Sequence, residues 1–117
     1  MKTIGIVGSR RKDSPSDLKR CLIKFKELYE IGDKLVSGGC PKGGDRFAEI
    51  IAKRLKIPIK IHYANWNEFG KSAGFQRNGL IAADADVILA VVSDDRTGGT
   101  EDTIRKAIKL GKVIITV

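Results

Sequence analysis

The run Val-Ile-Leu-Ala-Val-Val at residues 87–92 decides the fold class of this chain. All six side chains are apolar, and a strand without polar alternation is typical of a parallel sheet that is covered on both faces. A helical pattern at residues 75–83 precedes the run, and another around Ile104 follows it. Strand and helix patterns therefore alternate, as they do in βαβ units.

The same alternation extends to both ends of the chain. Ser14 and Pro15 favour a helix start, and Gly32 favours a helix stop. Pro58 favours an edge position for its strand. We expect one domain over residues 1–117, a Rossmann-like α/β fold with an open, mostly parallel five-stranded sheet and helices on both faces. Further strands are predicted at residues 4–7, 34–36, 57–61 and 113–117, and further helices at 18–29 and 47–55.

Composition narrows the class of protein. With 42% hydrophobic and 31% charged residues, the chain is typical of a soluble globular protein. No apolar run approaches the roughly 20 residues that span a bilayer, and the apolar part of the first residues is too short for a signal peptide. These features predict a cytoplasmic protein without a membrane partner. Cys21, Cys40 and the lone His62 match no disulfide framework or metal motif, so we expect no metal and no cofactor.

The net charge of +8 predicts attraction to an anion, whether a nucleotide, a nucleic acid or an acidic surface. Much of the excess lies on predicted helix faces, and a solvated basic surface accounts for those residues equally well. The glycines are more informative, because ligands of open parallel sheets bind beyond the carboxyl ends of the strands. Glycine also lets the backbone approach a ligand closely. Nine of the 13 glycines follow predicted strands: Gly8, Gly38, Gly39, Gly43, Gly44, Gly70, Gly74, Gly98 and Gly99.

The first and third of these glycine-bearing loops contribute polar and aromatic side chains. Arg10 has a planar guanidinium suited to phosphate or carboxylate, although an exposed basic turn would look the same. Trp66 lies outside any amphipathic stripe and either covers the end of the core or stacks on a base. Arg77 begins a helix near the rim, where it is placed to clamp a phosphate. The candidate ligand-binding residues here are Gly8, Ser9, Arg10, Trp66, Arg77 and Asn78.

The second loop, residues 37–46, reads Ser-Gly-Gly-Cys-Pro-Lys-Gly-Gly-Asp-Arg and leads into a helix. Free N–H groups and the positive end of the helix dipole favour an anion there. Asp45 either caps the helix or accepts hydrogen bonds from a ribose, and the role of Cys40 stays open. Neither a Walker A motif nor Gly-x-Gly-x-x-Gly is present, so P-loop ATP hydrolysis and ordinary NAD binding are poorly supported. The candidates are Gly38, Gly39, Lys42, Gly43, Asp45 and Arg46.

The fourth loop, residues 93–102, opens the last predicted helix. Thr100 is expected as its N-cap, and Gly98 and Gly99 expose amides toward an anion. Glu101 and Asp102 are the candidate catalytic carboxylates, with Arg77 holding a phosphate. Acidic residues also favour a helix N-terminus without any catalytic role.

Five motifs in this order resemble the SLOG superfamily, most closely its YspA-like branch. They are Gly8-Ser-Arg, Ser37-Gly-Gly-x-x-Lys-Gly-x-Asp-Arg-x-Ala, Ala64-x-Trp, Gly74-x-x-Arg-Asn and Gly98-Gly-Thr-x-Asp. The resemblance implies a Rossmann-like domain that binds nucleotides or nucleotide-derived signals. Relatives often pair, so it also implies a possible homo-oligomer.

Two further members of the superfamily define the alternatives. The LOG phosphoribohydrolases release a base from a nucleoside monophosphate and carry Gly-Gly-x-Gly-Thr-x-x-Glu. Here Thr103 stands at the position of that Glu, and Asp102 comes one residue early, about 100° around the helix. DprA binds single-stranded DNA. The leading hypothesis is therefore binding of a nucleotide-like phosphorylated molecule. One alternative is an enzyme that cleaves an N-glycosidic or phosphate-ester bond in such a molecule. The other is single-stranded nucleic-acid binding through the +8 charge and Trp66.

Overall fold

The computed structural model describes residues 1–117 and shows alternating strands and helices along the whole chain. The strands are β1 (Thr3–Gly8), β2 (Lys34–Ser37), β3 (Ile59–Ile61), β4 (Val87–Val91) and β5 (Val113–Thr116). The helices are α1 (Pro15–Leu28), α2 (Gly44–Leu55), α3 (Trp66–Phe69), α4 (Ala73–Asp84) and α5 (Gly99–Lys109), with a short 3-10 turn (Gly70–Ser72) before α4. The longest helix has 14 residues, and none has the length and hydropathy that a bilayer span requires.

The strands form one sheet in the order β3-β2-β1-β4-β5, and every neighbouring pair is parallel. This confirms the predicted Rossmann-like α/β class, with a sheet that is wholly rather than mostly parallel. The strand after Pro58 lies at the edge, as predicted. The Pro58 carbonyl accepts a hydrogen bond from Leu35 N at 2.9 Å, so this residue still contributes an acceptor to the pairing with β2 although it has no N–H to donate.

The apolar run of β4 is explained by two separate cores on the two faces of the sheet. Val87, Leu89 and Val91 pack against the side covered by α1 and α2, together with Phe25 and Phe47. Ile88 and Ala90 pack on the opposite side with residues of α4 and α5. Because successive strand residues alternate between faces, a strand that is buried on both sides needs apolar residues throughout.

The two ends of α1 differ in how well the sequence predicted them. Ser14 is the N-cap, as expected, and it also forms a full capping box with Asp17. Gly32 is not the helix stop: α1 ends at Leu28, with Tyr29 as an extended C-cap. Gly32 instead takes φ +96° in the turn before β2, a conformation that favours glycine.

Asp33 ties the chain start to this turn and provides a test of the fold. Its carboxylate is 2% exposed and accepts hydrogen bonds from Lys2 N (2.8 Å), Lys2 Nζ (2.6 Å) and Glu30 N (2.9 Å). Burial opposes the charge, but the bonds from Lys2 and Glu30 outweigh it and lower the pKa of Asp33 to about 2.

We expect Asp33→Asn to lower the free energy of unfolding at neutral pH by about 2 kcal/mol, because donors are left facing an amide nitrogen. A depressed carboxylate pKa stabilises the fold above the ordinary value and ceases to do so as pH falls toward about 2. Urea unfolding across this range should therefore show a steeper acid loss in the wild type than in Asp33→Asn. Glu30→Gln is the control: its ion pair with Lys2 is exposed, and its change should stay below about 0.5 kcal/mol. Equal acid profiles for wild type and Asp33→Asn would contradict the assignment.

Candidate functional site

A cleft of about 770 Å³ lies beyond the carboxyl ends of the strands, and loops after β1, β2, β3 and β4 all contribute to its wall. This volume falls within the range of small-molecule sites. Lys42, Gly43, Arg46, Glu101 and Asp102 are outside the wall. The sequence-predicted residues that the structure brings together in it are Gly8, Ser9, Arg10, Gly38, Gly39, Asp45, Trp66, Arg77, Asn78, Gly98, Gly99 and Thr100.

The N-cap amide of α2, that of Gly43, is occupied by a carboxylate of the protein itself. Asp13, from the loop after β1, accepts hydrogen bonds from Gly43 N at 2.7 Å and from Arg46 Nε at 2.8 Å. The bond from Gly43, followed by the Arg46 guanidinium, lowers the pKa of Asp13. Gly43 and Arg46 therefore serve an internal anion, and Lys42 is left exposed beside them.

Asp45 is buried in the wall and is not the helix cap that one interpretation expected. The N-cap of α2 is Gly43, which has no side-chain capping bond. Asp45 Oδ2 accepts from Cys40 N at 3.1 Å, and Asp45 Oδ1 lies 2.9 Å from Ser37 Oγ. Burial raises the pKa of Asp45, against the opposing effects of the hydrogen bonds with Cys40 and Ser37 and of the nearby Arg77.

Three guanidinium groups face the cleft, and Asp45 is the one acidic side chain in the wall. Arg10 is exposed and makes no hydrogen bond or ion pair within the chain. Arg11 binds Asp95 through both terminal nitrogens, at 2.6 and 2.8 Å, and also reaches Ser93 and Thr97. The wall therefore has more positive than negative side chains, in keeping with an anionic ligand.

Arg77 spans the cleft from α4 to the loop after β2. Its Nη1 donates to the Gly38 carbonyl at 2.7 Å, and its Nε donates to Asn78 Oδ1 at 3.0 Å. A Cβ added to Gly38 would lie 2.8 Å from Arg77 Nη1 and 2.8 Å from Asp45 Oδ2. Glycine at this position therefore lets the guanidinium and the carboxyl group approach the same patch of backbone.

The first turn of α5 presents backbone amides to the cleft. The N-cap is Gly98 at φ +99°, with no side-chain capping bond, so the expectation that Thr100 caps this helix is wrong. The helix begins earlier than expected, directly after Gly98, which has a positive φ that glycine adopts readily. Thr100 becomes the second helical residue, and the N-terminus lacks a competing side-chain acceptor.

The two acidic residues that follow are directed elsewhere. Glu101 Oε2 accepts from Arg96 Nε at 2.8 Å. Asp102 Oδ2 accepts from Asn78 Nδ2 at 3.1 Å and from Lys106 Nζ at 2.8 Å, and so links α5 to α4. Neither carboxylate lines the cleft, so of the proposed catalytic residues only Arg77 does.

An aromatic wall stands on the β2–β3 side of the cleft. Trp66 is 58% exposed and belongs to neither core, so it does not cover the core end; its ring lies 3.3 Å from where a Cβ of Gly74 would be. Tyr63 is 69% exposed and its ring packs against Gly39. Sequence reasoning missed Tyr63 and Arg11 as wall residues, although Tyr63 comes two positions after a strand end, where ligand contacts are expected.

The cysteines and other metal-ligand types form no metal site. Cys21 is buried in the core, and burial raises the pKa of its thiol to about 12. Cys40 lies in the wall as a free thiol. No three His, Cys, Asp or Glu side chains come together in a group that would hold a metal ion.

Comparison with known proteins supports the fold. No family model matches the chain, and no curated protein matches it either. Among solved structures, the chain is similar to the molybdenum cofactor binding protein from the phototrophic bacterium Rippkaea orientalis, with a TM-score of 0.69 and 24% identity. The match covers 98% of this chain and 75% of that chain. At this identity the likeness shows the Rossmann-like α/β fold, and membership of the SLOG superfamily stays a prediction.

Proposed function

We propose that this protein binds a phosphorylated, nucleotide-like small molecule in the cleft at the carboxyl ends of its strands. The observation that carries the proposal is the convergence of Arg10, Arg77, an uncapped helix N-terminus and two exposed aromatic rings on one concave wall. A protein of the same fold is named for binding a cofactor, which supports small-molecule binding on this scaffold.

The two sides of the cleft suit two parts of such a ligand. Backbone amides at the start of α5 and the guanidinium of Arg10 suit a phosphate, because both supply donors and positive potential. Tyr63 and Trp66 offer π-faces to a planar base, and stacking of a base on an aromatic ring contributes about 1–3 kcal/mol. A nucleotide placed across the cleft would satisfy both sides at once.

The hydrolase alternative has less support than binding. It requires a carboxylate beside the scissile bond, but Glu101 and Asp102 are paired with cations outside the cleft wall. Asp45 is the carboxyl group that a bound ligand would meet, and its oxygens already have partners within the protein. We therefore propose retention of the ligand rather than its turnover.

The proposal is tested by titrating the protein with a panel of nucleotides and following binding by calorimetry or by the fluorescence of Trp66. Each nucleotide is compared with its nucleoside, which lacks the phosphate. We expect saturable binding that depends on the phosphate, and about 10-fold weaker binding in Arg10→Ala, because a free guanidinium loses a charge-assisted contact. Arg54→Ala, at the far end of α2, is the control for net charge and should bind as the wild type does.

Two results would overturn the proposal: no saturable binding across the panel, or equal affinity in the Arg10 variant. A single-stranded oligonucleotide in the same assay separates the nucleic-acid alternative. Oligonucleotide binding that falls steeply with salt, with no binding of free nucleotides, would favour that function instead.

A further inference from the structure

The hydroxyl oxygen of Ser37 makes two hydrogen-bond contacts, but if Asp45 is ionised only one hydrogen is present for both of them. Ser37 is fully buried at the end of β2, and its Oγ lies 2.5 Å from the Ile6 carbonyl oxygen and 2.9 Å from Asp45 Oδ1. A hydroxyl group carries a single hydrogen, and a carbonyl oxygen can only accept. Two oxygens 2.5 Å apart require a hydrogen between them, so the hydroxyl of Ser37 donates to Ile6.

The contact between Ser37 and Asp45 then needs a second hydrogen. The oxygen of Ser37 still has a lone pair that can accept a hydrogen bond. The second hydrogen must then be carried by Asp45 Oδ1, the other atom in this contact. The remaining oxygen of Asp45 already accepts from Cys40 N. We infer that Asp45 is a neutral carboxylic acid in the wall of the cleft, donating through Oδ1 to Ser37 and accepting through Oδ2 from Cys40.

The surroundings of Asp45 agree with this assignment. The residue is 7% exposed, and burial raises its pKa more than the hydrogen bonds with Cys40, Ser37 and Gly38 and the charge of Arg77 lower it. Arg77 from α4 is the charged group that acts on Asp45, and the thiol of Cys40 and the exposed ammonium group of Lys42 are the titratable groups on the adjoining loop. The Asp13–Arg46 ion pair also lies at this end of α2, but it is satisfied internally.

A proton on Asp45 has a consequence for binding, which rests on the proposed function. With Asp45 neutral, the wall carries no negative charge, and an anion can reach Gly38 and Arg77 without repulsion. Once Asp45 ionises, its carboxylate repels the anion and competes for the guanidinium of Arg77. Affinity for anions should therefore decrease as pH rises through the titration of Asp45, and Asp45→Asn should remove that dependence.

Carbon-13 NMR of the side-chain carboxyl groups tests the proton directly, with Asp45→Asn identifying the resonance. We expect the titration midpoint of the Asp45 carboxyl group to lie above that of an ordinary aspartate. In Ser37→Ala we expect this midpoint to be lower than in the wild type, because the neutral acid loses its hydrogen-bond acceptor. A midpoint at or below the ordinary value would overturn the inference. So would a rise in Ser37→Ala, which is the response of a carboxylate that loses a donor.

Titration of the same protein with sodium sulfate tests the link to anions, since the charge of sulfate is constant in this range. We expect binding about 5-fold weaker above the Asp45 midpoint than below it, and no such change in Asp45→Asn, with sodium chloride as the ionic-strength control. Equal sulfate affinity on both sides of the midpoint would overturn the coupling. A raised midpoint without any sulfate binding would support the proton on Asp45 and count against the proposed function.

Discussion

Gly44→Ala should lower the free energy of unfolding by about 3 kcal/mol, the largest change in stability that we expect from a single methyl group in this protein. Gly44 is the first residue of α2, and a Cβ there would overlap the carbonyl group of Val7 and the amide nitrogen of Gly8. Both neighbours are backbone atoms of the central strand, so neither can rotate away. Either α2 retreats from β1 or the strand end is displaced.

Chemical denaturation of Gly44→Ala beside Gly79→Ala measures this effect. Gly79 lies inside α4, where an added Cβ would meet no atom closer than 3.9 Å. Alanine there should stabilise the protein by about 1 kcal/mol through helix propensity. If Gly44→Ala unfolded at the wild-type denaturant concentration, the close packing of α2 on β1 would be wrong.

Arg77→Ala should weaken binding of a phosphorylated ligand by about 100-fold, the largest effect on affinity that we expect. Its guanidinium is held across the cleft by Gly38 and Asn78, so its position is fixed before a ligand binds, and Nη2 has no partner within the protein. Arg77→Lys keeps the charge and loses the fork, and should fall between the wild type and the alanine variant.

Calorimetric titration of these variants, with thermal unfolding of each, separates two roles of Arg77: contact with the ligand and stabilisation of the loop after β2. A loss of affinity at unchanged melting temperature would assign Arg77 to the ligand. Wild-type affinity in Arg77→Ala would remove Arg77 from the site, and the proposed phosphate contact with it.

The sequence predicts the fold and the location of the cleft because both follow from local patterns. The uniform run of β4 requires burial on two faces, and Pro58 tolerates only an edge. Parallel strands then place the loops at their carboxyl ends on one rim, which is why Gly8, Gly38 and Gly98 meet in one wall.

The details that escaped prediction depend on partners that are distant in sequence. Asp13 occupies Gly43 N from 30 residues away, and no pattern within residues 37–46 signals this contact. The direction of Asp102 depends on how α5 is rotated on the sheet: burial of Ile104 and Ala107 turns the carboxylate toward α4. Local capping preference also favoured Thr100, but the helix begins at Gly99, after Gly98 with its positive φ.

The clamp of Arg11 on Asp95 has a thermodynamic consequence for recognition. This ion pair joins the loop after β1 to the loop after β4, and so favours one spacing between the two loops before a ligand binds. Because this pair restrains the two loops before association, we expect less conformational entropy to be lost there when a ligand binds. Selectivity should then depend on the shape and charge of the ligand rather than on a loop that closes over it.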